Sequence, residues 1–169
     1  MRLFIAARLS AAQAAAAEAA QAAFRDAGVR GNYTPAENLH LTLAFIGEYP
    51  DPDAVLSAME SARLRPAALT LEGIGAFGDL WWLGLRDDPG LAANVRALRH
   101  ALADADIPFD RKRFTPHITL LRRAEPGPYG IPAIRVPPLS SPIRRVVLMR
   151  SDRGKRGMIY TEVGAREQE

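Results

Sequence analysis

The 169-residue sequence contains no cysteine, only three histidines, and two lysines, Lys112 and Lys155, against twenty arginines. Without cysteine there are no disulfides, no thiolate metal sites and no cysteine nucleophile, which removes several enzyme classes but says little about compartment. No run approaches the roughly twenty uncharged apolar residues that a membrane span needs, and "MRLFIAARLS" is short and lacks the small-residue cleavage site of a secretory signal. We therefore expect a cytoplasmic protein with no membrane partner. The chain is 48% hydrophobic, enough for one compact domain or for two small lobes sharing a core.

What is present is mainly apolar residues and arginine. Net charge is +3 with a pI near 9.7. Arginine's planar fork suits phosphate better than a point charge does, although an alanine- and arginine-rich composition reflects the coding bias of a genome as readily as a function. Position is more informative. Cations crowd the stretch from Arg111 to Arg156, and a polyanionic ligand fits there.

"RLFIAARL" reads as a first strand. Ser10 is placed as N-cap for the alanine helix "AAQAAAAEAAQAAFRDAG", which Gly28 should end. "GNYTPAEN" has turn chemistry, and the strand "LHLTLAFIG" follows. "AVLSAMESARL" fits a short helix capped by Asp51 or Asp53. "ALTLEGIGAF" and "LWWLGLR" are two strands joined at Gly78-Asp79. Leu91, Val95, Leu98 and Leu102 give the next helix its apolar face. A basic loop, "PFDRKRFTP", leads to the strand "HITLL", and a proline- and glycine-rich connection over 125–142 has room for a short edge strand at most. "IRRVVLMRS" and "MIYTEVG" make a last strand pair around the loop "DRGKRG". Without a regular βαβ rhythm, the pattern predicts an α+β fold with mainly antiparallel pairing. A helix twice precedes a strand carrying His-x-Thr, which suggests two similar lobes facing each other.

Two of the three histidines open the pattern His-x-Thr-Leu: "HLTL" at His40 and "HITL" at His117. With six threonines in the chain, a given histidine meets one two places on in roughly one case in thirty, so a double occurrence carries weight. In a strand, residues i and i+2 share a face, so His40 points with Thr42 and His117 with Thr119. Such strands facing one another would present two imidazoles to a ligand from opposite sides. That suits in-line displacement at phosphorus, one imidazole taking a proton as the other gives one, with hydroxyls and an arginine on the phosphate oxygens. The alternatives are weaker. A lone strand histidine is ordinarily structural, two histidines lack the third ligand of a zinc site, and His100 inside a helix is a surface or boundary residue.

"ENLHLTLAFIGE" and "FTPHITLLRR" resemble the motifs of the 2H phosphoesterase superfamily, and in particular of the bacterial and archaeal RNA 2′,3′-cyclic phosphodiesterases, also called 2′-5′ RNA ligases. The likeness extends to "RLFIAARL", "WWLGLR" and "YTEV", and so covers essentially the whole chain. The resemblance implies a single bilobal α+β domain over residues 1–169 with pseudo-two-fold symmetry, two antiparallel sheets lining a central cleft, and helices outside. It implies hydrolysis of a terminal 2′,3′-cyclic phosphate on RNA or a nucleotide to a 2′-phosphomonoester, without metal or cofactor, and we expect the protein to be a monomer. His40 would be the proton donor, His117 the proton acceptor, and Thr42, Thr119 and Arg122 the phosphate-binding residues. Strand alternation favours Arg123 over Arg122 on the face of His117, so the match to Arg122 requires the strand to end or bulge before it. Phe4, Tyr33 and Trp82 could stack on a base, yet each more readily packs in the core. The alternatives are 2′-5′ joining of tRNA halves at the same residues, and a nucleotide- or RNA-binding module without turnover.

Overall fold

The computed structural model describes residues 1–168. The chain runs β1 (Arg2–Arg8), α1 (Ala11–Asp26), β2 (Arg30–Tyr33), a 3-10 turn (Ala36–Asn38), β3 (His40–Glu48), α2 (Pro52–Ser61), β4 (Ala68–Phe77), β5 (Leu80–Leu85), α3 (Pro89–Asp104), β6 (His117–Glu125), β7 (Ser140–Pro142), β8 (Arg145–Gly154) and β9 (Gly157–Glu167). Leu3 to Ala7 are all buried, so β1 is covered on both faces and sits inside the first sheet, ordered β3-β1-β8-β9. The second sheet is ordered β2-β6-β5-β4-β7, and all pairings in both are antiparallel.

The expected repeat is visible in the topology. β1 and β3 pair across α1, and β5 and β6 pair across α3. α1 packs on the second sheet, where Phe24 meets the Trp81 ring edge-on at 5.2 Å, while α2 lies against the first through β9 and α3 reaches both, through β3 and β4. One continuous apolar core therefore joins the lobes.

Ser10 caps α1 in a capping box with Gln13, and Gly28, at φ +83°, follows the helix end as its lack of a Cβ permits. Alanines let α1 lie close to the sheet, and two buried glutamines fasten it. Gln13 Nε2 donates to the carbonyls of Leu69 and Leu139 at 2.9 and 3.2 Å, and Gln21 Nε2 to those of Thr34 and Leu120 at 2.9 Å each. These bonds satisfy groups whose burial would otherwise be costly. Asp51 caps α2, and Asp88 caps α3.

The structure departs from the sequence pattern in three places. The first three residues of "GNYTPAEN" are strand: β2 has no apolar alternation, and its edge pairing with β6 forms it instead. β6 continues four residues past "HITLL" to Glu125. "DRGKRG" is mostly ladder, since β8 and β9 stay paired out to Gly154 and Gly157 and leave only Lys155-Arg156 as the turn. Among the described residues, no helix is long and apolar enough to cross a membrane.

Candidate active site

His40 and His117 each open a strand, and β3 and β6 approach each other where the two sheets meet. Both rings are held in the same way. His40 Nδ1 is 2.7 Å from the carbonyl of Asn38, and His117 Nδ1 is 2.6 Å from that of Thr115, in each case two residues upstream. A carbonyl only accepts, so Nδ1 carries the proton and Nε2 is left as the exchangeable nitrogen of each ring. His40 Nε2 lies 2.8 Å from Thr42 Oγ1.

Aromatic rings fix the orientations. His40 packs on Phe4 and Tyr160, with centroids 4.9 and 5.4 Å away. His117 packs on Phe77 and Trp82 at 5.2 and 6.3 Å. Trp82 lies flat over Gly75, where a Cβ would fall 2.2 Å from the indole. Burial in this setting pushes the His40 pKa below its usual 6.5. The hydrogen bond to Asn38 opposes the shift, and the charges of Arg8, His117 and Arg122 add to it.

The cleft between the sheets has a volume of about 620 Å³ and is lined by His40, Thr42, His117, Thr119 and Arg122 together. All five site residues expected from the sequence thus reach one space, and the Arg122 conflict resolves through a bulge. Trp82 pairs with Thr119 and Trp81 with Leu121, which leaves Leu120 as an extra residue in β6. Leu120 and Leu121 are both buried, and Arg122 returns to the face of His117. Arg123, at φ +53°, is not among the residues lining the cleft.

The same device recurs in the other motif. Ala6 pairs with Thr42 and Ile5 with Ala44, so Leu43 is the extra residue of β3. Leu43 and Ala44 are buried, and Phe45 turns into the cleft. The leucine of each His-x-Thr-Leu is therefore a bulge, and it delivers the fifth residue past the histidine: Phe45 from one lobe, Arg122 from the other.

Of the proposed stacking residues, Phe4 and Trp82 support the histidines. Tyr33 lies elsewhere, under the Arg25 guanidinium at 4.1 Å with its hydroxyl on the Val29 carbonyl. The sequence reading missed Asn38, Phe45, Phe77 and Tyr160. The doubled apolar pairs Leu43-Ala44 and Leu120-Leu121 were the available sign of the bulges, and Tyr160 needed the β8–β9 register. Among the described residues, no cluster of three or more His, Cys, Asp or Glu is placed to hold a metal.

Two facing lobes that each contribute a strand-borne His-x-Thr to one cleft define a two-histidine phosphoesterase scaffold of the α+β class. Comparison with known families agrees: residues 8–155 match the 2′-5′ RNA ligase superfamily, and the chain belongs to that family. It is 37% identical over 146 residues to the RNA 2′,3′-cyclic phosphodiesterase of Thermus thermophilus, covering 75% of this chain and 70% of the relative. A Geobacillus stearothermophilus protein of the same name is 30% identical over 132 residues, or 70% of this chain, and the match spans 42% of the relative's length. Escherichia coli LigT, solved with 3′-AMP, superposes with a TM-score of 0.79 at 29% identity, covering 98% of this chain and 97% of that one.

Proposed function

We propose that the protein hydrolyses a terminal ribose 2′,3′-cyclic phosphate on RNA or a nucleotide to a 2′-phosphomonoester, by acid/base catalysis between His40 and His117 without metal or cofactor. The observation that carries the reading is the matched pair of Nε2 atoms, each freed for proton transfer by an Nδ1 bond to a backbone carbonyl. It is supported by the names of the relatives, which describe RNA 2′,3′-cyclic phosphodiesterases. His117 Nε2 takes a proton from water as the water oxygen bonds to phosphorus. The P–O3′ bond breaks, and protonated His40 gives its Nε2 proton to O3′. Thr42, Thr119 and Arg122 hold the non-bridging oxygens, whose charge grows as the fifth bond forms. The histidine protons re-equilibrate with solvent. We take the enzyme to act as a monomer in the cytoplasm, as one two-lobed domain over residues 1–169.

One observation favours a second order of proton transfer. The lowered pKa of His40 suits a base better than an acid until an anionic phosphate raises it. If His40 is the base, O2′ is the leaving oxygen and the product is a 3′-phosphate. In the first order, His40→Ala and His117→Ala each cut turnover of a nucleoside 2′,3′-cyclic phosphate by at least about 10²-fold, EDTA has no effect, and the product is the 2′-phosphate. Full activity in either variant rejects the site. Ligation of tRNA halves would use the same residues with a ribose hydroxyl in place of water. Binding without any turnover would leave the protein a nucleotide-binding module.

A further inference from the structure

The cleft extends past the groups that the proposed reaction uses. Arg2, Lys112 and Arg153 also line it, Arg2 at the end of β3 away from His40, and none of the three takes part in an ion pair among the described residues. Two acids lie near them: Asp110 is occupied within its own loop, its Oδ1 accepting from the backbone N–H of Lys112 at 2.9 Å, and Glu48, opposite Arg2 across β1 and β3, holds the Met1 ammonium at 3.2 Å.

These cations are built into place. Arg2 pairs with Ser151 across β1 and β8, and Arg153 lies two residues further on the same face. The Arg2 guanidinium rests over the Phe45 ring, 5.1 Å from its centroid, instead of turning toward the histidines. Lys112 is brought in from the other lobe by a backbone bond from Asp110 N–H to the Phe45 carbonyl at 2.8 Å. Along β1, Arg2 is four residues from Ala6, the partner of Thr42. At 3.3 Å per residue that is about 13 Å, so a phosphate held between Thr42 and Thr119 leaves Arg2 without a partner.

We propose that Arg2, Lys112 and Arg153 form a second phosphate subsite, which binds the backbone of a single-stranded oligonucleotide upstream of its terminal cyclic phosphate. The inference rests on the phosphodiesterase reading for the position of the reacting group. It makes the preferred substrate an oligonucleotide end, with Phe45 and the arginine above it as a platform for a base or ribose. Unpaired cations in a groove that carries aromatic rings are what single-strand binding requires, because charge follows the backbone and rings accept any base.

The test compares a mononucleotide and a tetranucleotide, each ending in a 2′,3′-cyclic phosphate, in the wild-type protein and in an Arg2→Ala, Arg153→Ala double variant. For wild type, log kcat/KM should fall more steeply with log salt for the tetranucleotide, by about 1.4 if two further phosphates are neutralised at about 0.7 each. In the double variant the ratio of tetranucleotide to mononucleotide kcat/KM should fall about tenfold, as for loss of one good hydrogen bond to a charged group, and the difference in slope should shrink. Equal salt slopes for the two substrates, or equal losses on both, overturn the subsite. Binding of a fluorescein-labelled tetranucleotide 2′-phosphate, read by anisotropy, separates the two proposals. Weaker binding in the double variant of a protein that turns over neither substrate keeps the subsite and removes the phosphodiesterase reading. Unchanged binding, with mononucleotide turnover intact, does the opposite.

Discussion

Asn38 offers a sharp test of how the catalytic nitrogen of His40 is held. The residue is 6% exposed, and Nδ2 donates to the Met158 carbonyl of β9 at 2.9 Å. Its own carbonyl takes the His40 Nδ1 proton. One residue thus ties the His40 ring to the strand that brings Tyr160 against it. Asn38→Ala removes the side-chain bond and leaves the Met158 carbonyl short of a donor, a cost of about 1–3 kcal/mol. For a chain of this size that amounts to a fall in Tm of about 2–12 °C. The Asn38 carbonyl remains but is no longer anchored. A displacement of about 1 Å at a catalytic group costs on the order of 10²-fold, so kcat should fall between about tenfold and a hundredfold. KM should change little, because the phosphate contacts proposed for Thr42, Thr119 and Arg122 are untouched.

Stability loss alone would lower the active fraction without moving the pH dependence, so the profile is the deciding measurement. The Asn38 bond raises the His40 pKa against the effect of burial. Loosening it should move the limb governed by His40 to lower pH. Asn38→Asp keeps the shape and loses the donor, and its carboxylate should move that limb to higher pH. Rate–pH profiles of kcat/KM for wild type and both variants, alongside melting curves, make the comparison. Superimposable profiles with kcat within about twofold would refute the positioning role.

Two further predictions follow from the same geometry. Arg122→Ala should cut kcat by about 10²–10³-fold, the scale for losing one donor to a developing oxyanion, whereas Arg123→Ala should stay within about twofold; steady-state kinetics showing the reverse would mean that Leu120 does not bulge as described. The lowered His40 pKa means that the unfolded chain binds more protons than the folded one below about pH 6.5. The neutral ring's contribution to stability is therefore fully present above that pH and is lost as pH falls through the folded-state value. The Tm difference between wild type and His40→Gln should narrow in wild type's disfavour from pH 7.5 to pH 5 by differential scanning fluorimetry, and a constant difference would show that the ring is not desolvated.

The elements that were legible in the sequence are those whose own residues form them. Ser10 and Asp51 cap helices because their side chains reach backbone N–H groups three residues on. Leu91, Val95, Leu98 and Leu102 mark a face by spacing alone, and all four are buried. β2 was hidden because nothing in Arg30–Tyr33 specifies a strand; it forms because β6 offers an open edge. The site divides along the same line. His40, Thr42, His117 and Thr119 were readable because a two-residue spacing fixes a shared face. Arg122 came only from the resemblance and against the strand alternation, because one bulged residue inverts that alternation, and a bulge is a property of two paired strands.

The paired bulges also explain how a repeated motif gives an asymmetric site. Each lobe uses the same local plan: an imidazole fixed by the carbonyl two residues back, a hydroxyl beside it, a bulged leucine, and a fifth residue turned into the cleft. Up to the leucine the two lobes supply the same groups, as a reaction at phosphorus with attacking and leaving oxygens on opposite sides requires. At the fifth residue they diverge. Arg122 adds charge where phosphate oxygens would lie, and Phe45 adds a ring that carries Arg2. Burial, helped by the charges of Arg8 and Arg122, also holds the His40 pKa below its usual value. Exchanging only the fifth residues, Phe45→Arg with Arg122→Phe, would keep the histidines and threonines while moving the charge to the other lobe. On the proposed proton order, the side from which water attacks should then be disfavoured, and turnover should fall at least as far as in Arg122→Ala.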